Sequence, residues 1–187
     1  MSEEVTYLRY PEPEIHTLVP GVMLFKNIFD PCDFVNLIEE EASQDWPYLS
    51  WEQSPTGVNT ISEYRTSYQL ELGYLHNRDI IEAHRTYILS KMWQEMFNII
   101  DGYVYHYRNH YNLSLNSDEG YRILKYSNGA EYLDHEDWGY DNGRRISLLG
   151  WLNDDYEGGE LYFKYFDLTV KPQKGSFVIF PSNFIYT

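Results

Sequence analysis

The chain has 187 residues, 43% of them hydrophobic and 18% aromatic, with 19 tyrosines. That is enough apolar material for one domain with a sizeable core, and two domains would be cramped. The net charge of −15 argues against nucleic-acid phosphates as the main partner, because that binding needs clustered Lys and Arg.

No apolar run reaches the length of a membrane span, and the first residues lack the basic and apolar regions of a signal peptide. Cys32 is the only cysteine, which forbids an internal disulfide and suits a reducing cytosol. Neither a nucleic acid nor a membrane is expected as a partner.

Residues 1–20, rich in Pro and Glu, read as an extended lead-in. "GVMLFKNIF" (21–29) has the β-branched and aromatic content of a strand. At "DPCDFVNLIEEEAS" (30–43) a helix is expected, with Asp30 as N-cap, Pro31 in the first helical position, and Phe34, Val35 and Ile38 on one face. "RTSYQLEL" (65–72) alternates as a strand would. A longer helix is expected from about Asp79, with Ile81, His84, Ile88, Met92, Met96 and Ile99 forming its apolar stripe. "YVYHYRNHYNL" reads as a second helical piece.

From Gly120 onward short runs alternate with turn signals: "YRILKY", "EYLDHED", "RRISLLGWLN", "ELYFKYF", "LTVK" and "SFVIF". Such spacing predicts an all-β sandwich or barrel in the second half. A single domain is expected over 1–187, with strands and supporting helices in 1–119 and the β-rich part in 120–187.

"EYLDHED" (131–137) holds one histidine among four carboxylates. Read as a strand, its side chains alternate, so His135 and Asp137 share one face while Asp134 and Glu136 share the other. An imidazole and a carboxylate so placed make two adjacent corners of a metal site. With a second histidine they complete a 2-His-1-carboxylate triad; the same pair could also hold zinc with a water. Asp134, Glu136, Asp154 and Asp155 read as solvated carboxylates. His106 and His110 are spaced i, i+4, but Tyr107 stands where H-E-x-x-H needs glutamate, so a zincin is not expected.

"RILKYSNGAEYLDHEDWG", "RRISLLGWLND", "EGGELYF" and "VKPQKGSFVIFPS" follow one another at compact spacing. Together they resemble the prolyl-hydroxylase-like branch of the Fe(II)- and 2-oxoglutarate-dependent dioxygenases, over roughly residues 120–187. The resemblance implies an α+β fold, a double-stranded β-helix (jelly roll) with N-terminal supporting helices. It implies Fe(II) bound by His135 and Asp137, 2-oxoglutarate as co-substrate, and ascorbate as an accompanying reductant. It further implies hydroxylation of an unactivated C–H bond, with succinate and CO2 as co-products and a prolyl or other peptidyl residue of a peptide or protein as substrate.

By the same resemblance Tyr126 reaches the 2-oxoglutarate and Tyr132 lines the same strand. Ser147 lies near the distal carboxylate, and Leu161 turns an apolar side chain to the co-substrate. Trp151 departs from the usual Tyr. No His follows Asp137, and the family's distal histidine and basic anchor would fall about where the sequence stops at Thr187. The expectation is therefore a chain truncated before its last strands, weak in Fe(II) and 2-oxoglutarate binding. The competing readings are a catalytically inactive jelly-roll binding module and a zinc-dependent hydrolase.

Overall fold

A computed structural model describes residues 12–43, 51–56, 63–72, 83–139 and 143–187. The strand β1 (Glu14–Val19) leads through a tight turn into β2 (Val22–Lys26), and the two pair antiparallel. Residues 14–19 were expected to be lead-in. They form an edge strand instead, because the buried β2 offers them an unpaired ladder. At the turn Gly21 has φ +91, and a Cβ there would sit 3.2 Å from the Pro181 ring, so glycine serves both the backbone and the packing.

The helix α1 (Cys32–Ser43) starts as its sequence dictates: the Asp30 carboxylate accepts from the Cys32 N–H at 3.1 Å, capping an otherwise unpaired donor. Its Phe34 and Ile38 pack with Leu70, Met92 and Ile123. After β3 (Glu52–Gln53) and β4 (Tyr68–Leu72) comes α2 (Ala83–His110), one continuous helix where two pieces were expected. Gly102 lies inside it on the exposed side, so no packed neighbour breaks the run. The expected start near Asp79 and its Ile81 lie outside the described residues.

The remaining strands are β5 (Tyr121–Lys125), β6 (Ile146–Trp151), β7 (Leu161–Phe163), β8 (Leu168–Val170) and β9 (Ser176–Pro181). "ELYFKYF" is strand only to Phe163. Lys164–Phe166 then makes a 3-10 turn that ends on Asp167 in the left-handed region.

The strands form antiparallel sheets in the orders β1-β2-β9-β6, β3-β4-β5 and β7-β8. These sheets are open; among the described residues they do not close into a barrel. β9 is central and buried on both faces, which is why "SFVIF" reads as a continuous apolar run. One face carries Phe177 and Ile179 and packs with Met23, Phe25, Ile100 and Tyr107, the last two from α2. The opposite face carries Val178 and Phe180 and packs with Leu161, Phe163, Val170 and Tyr186. The helix is tied on by two hydroxyls: Tyr107 donates to the Gly21 carbonyl at 2.7 Å, and Tyr111 accepts from the Gly21 N–H at 3.1 Å.

Candidate metal centre

"EYLDHED" was expected to be a strand and is not a regular one. It crosses between sheets, and its backbone bonds change partner midway. Glu131 and Leu133 bond to residues 64–66: the Thr66 N–H donates to the Glu131 carbonyl at 3.0 Å, and the Leu133 N–H to the Tyr64 carbonyl at 3.2 Å. His135 then exchanges two 3.0 Å bonds with Tyr186, and the Asp137 N–H donates to the Ser182 carbonyl at 2.9 Å. A segment that bonds to two different neighbours cannot build one ladder, so isolated bridges at Tyr132 and His135 replace a strand.

The side-chain alternation survives all the same. Asp134 turns outward and accepts from Lys164 and Thr187. Glu136 is exposed. His135 and Asp137 converge, with Nε2 and Oδ1 4.0 Å apart.

His135 is held on every side. Its Nδ1 lies 2.8 Å from the Leu133 carbonyl, an acceptor only, so the ring proton sits on Nδ1 and the Nε2 lone pair is left to point at Asp137. The Tyr132 ring stacks on it with centroids 3.5 Å apart, and the Tyr186 ring lies tilted at 4.3 Å. Arg65 covers the outer face of Tyr132 at 4.6 Å. Burial is the largest influence on His135 and lowers its pKa, which favours the neutral imidazole that a metal requires.

Asp137 Oδ2 accepts from Ser147 and, at 2.9 Å, from Tyr186. Burial, and then the neighbouring Asp137, raise the pKa of Tyr186, so its phenol stays protonated and donates. Burial also raises Tyr132.

The donor set fits a divalent metal. Nε2 of His135 is buried and without a hydrogen-bond partner among the described residues, a state that ordinarily costs stability. Nε2 and Oδ1 are too far apart to bond to each other. Neighbouring ligands on one cation at bond lengths of about 2.0–2.2 Å lie about 3 Å apart, so the pair would close by about 1 Å to hold it. Among the described residues no group of three or more His, Cys, Asp or Glu could hold a metal, so this pair has no third such residue beside it there. His106 and His110 lie together on the exposed side of α2, their rings 6.5 Å apart.

The other predicted residues gather around the same cleft, an open space of 2980 Å³ lined by both larger sheets. Tyr126 faces it and is 46% exposed; Leu161 lines it but is only 7% exposed and belongs to the core around β9. Ser147 has its hydroxyl engaged by Asp137. Trp151 packs against the core beside β9. Sequence reasoning missed Arg65 and Tyr186. Arg65 stood in the quoted "RTS" with nothing to tie it to Tyr132. Tyr186 lies 49 residues from Asp137, and no local pattern joins the two.

Residues 121–186 match the family model of the 2OG-Fe(II) oxygenase superfamily. Among solved structures, a prolyl hydroxylase from Trichoplax adhaerens, in complex with a hypoxia inducible factor oxygen degradation domain peptide fragment, is similar at TM-score 0.61 and 14% identity. That likeness covers 89% of this chain and 76% of the other. A Pseudomonas putida prolyl-4-hydroxylase is similar at TM-score 0.53 and 19% identity, over 89% of this chain and 83% of the other. No curated protein gives a significant sequence match. Residues 121–186 thus resemble the 2OG-Fe(II) oxygenase superfamily, and the fold of the described residues is that of the prolyl hydroxylase structures. Fe(II) and 2-oxoglutarate are the cofactor and co-substrate that family implies.

Proposed function

We propose that this chain hydroxylates a peptidyl residue, prolyl foremost, at an unactivated C–H bond, consuming 2-oxoglutarate and O2 and releasing succinate and CO2. One observation carries the reading: a neutral, pinned imidazole and a carboxylate converge to 4.0 Å within the segment that matches the oxygenase family. His135 and Asp137 would hold the metal, one ligand neutral and one charged. When bound, Fe(II) with 2-oxoglutarate supplies the oxidising chemistry.

The chain's own residues bind, orient and exclude water. The Leu133 carbonyl fixes the tautomer of His135, and Tyr132 and Tyr186 fix the plane of its ring. Leu161 and the apolar side chains beside it give the cleft a dry wall, which protects an oxidising site from side reactions. Tyr126 offers a hydroxyl and Tyr132 an aromatic surface to the co-substrate. Ser147 acts at the same place through Asp137. Ascorbate serves as the accompanying reductant.

A peptide substrate is supported by the Trichoplax relative, which was solved with a peptide fragment bound, and by the open form of the cleft. Trp138, 42% exposed and on the cleft lining, is placed to touch such a chain.

The test is succinate formation from 2-oxoglutarate with Fe(II) and ascorbate, with and without proline-containing peptides. Slow succinate release alone and faster release with a hydroxylated peptide is the expected result. No 2-oxoglutarate consumption under any condition would favour a non-catalytic jelly-roll module. Zinc-dependent hydrolysis without 2-oxoglutarate would favour a hydrolase.

A further inference from the structure

We infer that Tyr186 and Ser147 form a two-hydroxyl clamp on one oxygen of Asp137, and that this clamp sets how the carboxylate is presented to a divalent cation. The inference rests on the metal reading above and extends it to two residues that no metal would touch. Both hydroxyls meet the same atom, Oδ2: Tyr186 Oη at 2.9 Å, and Ser147 Oγ from the facing strand β6. An ionised carboxylate only accepts, so both hydroxyls donate. Two donors on Oδ2 fill its lone pairs, and Oδ1 is the oxygen turned toward His135 Nε2. The carboxylate is thereby directed to bind through one oxygen, which leaves more of the coordination sphere for other ligands.

The placement of Tyr186 is rigid enough for this role. It is only 5% exposed, and its ring packs edge-on against Phe180 at 4.9 Å and near Phe163 at 6.2 Å. Its backbone is bonded in both directions to His135, so any shift of the phenol relative to one ligand also shifts it relative to the other. Ser147 sits opposite Phe180 in the β6–β9 register, which fixes its hydroxyl on the same side of the sheet as Tyr186. Tyr186 and Ser147 are positioning residues, since each acts through Asp137.

The experiment titrates the full chain with Mn(II), followed by electron paramagnetic resonance, and records the visible d–d absorption of the Co(II) form. The variants are Tyr186→Phe, Ser147→Ala, Ser147→Thr and Asp137→Ala, each checked for folding by near-UV circular dichroism. Losing a partner that orients a metal ligand costs about 10–100-fold in affinity. Tyr186→Phe should therefore weaken Mn(II) binding about tenfold and alter the Co(II) spectrum, although the ring that fills the core remains. Ser147→Ala should weaken it similarly, and Ser147→Thr, which restores a hydroxyl, should return it to within about twofold of the parent.

Unchanged affinity and spectrum in folded Tyr186→Phe, while Asp137→Ala loses the metal, would overturn the clamp and leave the metal reading intact. Mn(II) binding unaffected by Asp137→Ala would overturn both. Should Tyr186→Phe fail to fold, the contrast between Ser147→Ala and Ser147→Thr decides the clamp: equal affinities would refute it.

Discussion

Replacing Tyr132 by alanine removes the middle layer of the stack Arg65–Tyr132–His135. A tyrosine ring takes on the order of 150 Å² out of water when buried. At ~25 cal/mol/Å² that is about 4 kcal/mol, of which this partly open position retains roughly half. Stacking on His135 at 3.5 Å adds about 1 kcal/mol, and the Arg65 guanidinium at 4.6 Å adds about 0.5–1 kcal/mol. Tyr132→Ala should therefore cost about 3–4 kcal/mol in urea or guanidinium unfolding at neutral pH. Tyr132→Phe, which keeps the ring, should cost well under about 1 kcal/mol. A double-mutant cycle with Arg65→Ala should return a coupling of about 0.5–1 kcal/mol. Equal losses from the Phe and Ala variants would show that the hydroxyl matters more than the stack. A Tyr132→Ala loss below about 1 kcal/mol would refute the packing argument outright.

The two neighbouring carboxylates should separate cleanly. Asp137→Ala is expected to abolish Fe(II)-dependent 2-oxoglutarate turnover, whereas Glu136→Ala, altering an exposed side chain, should leave it within about twofold; comparable losses would contradict the facing of these residues. A further expectation concerns Glu119, whose pKa is lowered chiefly by its hydrogen bonds with Arg144, the shortest 2.7 Å. A depressed carboxylate adds stability that is fully present above its ordinary value of 4.5 and is lost as pH falls through the lower folded value. The pair is half-exposed, so the effect is below about 1 kcal/mol. The melting-temperature gap between the parent and Glu119→Gln should be small, widest near neutral pH, and should close below pH 4.5; a gap that widens on acidification would be the contrary result.

Local chemistry made much of this fold legible. The Asp30 cap, the continuous apolar run of β9 and the alternation that sends His135 and Asp137 one way and Asp134 the other each follow from neighbouring residues. "EYLDHED" shows where such reading stops. Its pattern is that of a strand, yet its backbone is shared between residues 64–66 and 182–186, a matter of topology that periodicity does not record. The lead-in became β1 for a similar reason, since pairing with β2 supplied what its own composition did not. In the site, the convergence of His135 and Asp137 was visible as a two-residue spacing, but the groups that orient them were not. The Ser147 and Tyr186 hydroxyls reach Asp137 across separations of 10 and 49 residues, and Arg65 reaches Tyr132 through a bridge between distant segments.

The most direct measurement is anomalous diffraction from a crystal of this chain soaked with Mn(II), collected at the manganese edge. A single strong peak bonded to both His135 Nε2 and Asp137 Oδ1 is the predicted result, with the Nδ1–Leu133 hydrogen bond retained. A peak elsewhere, or a His135–Asp137 pair that closes on itself and excludes the ion, would contradict the account.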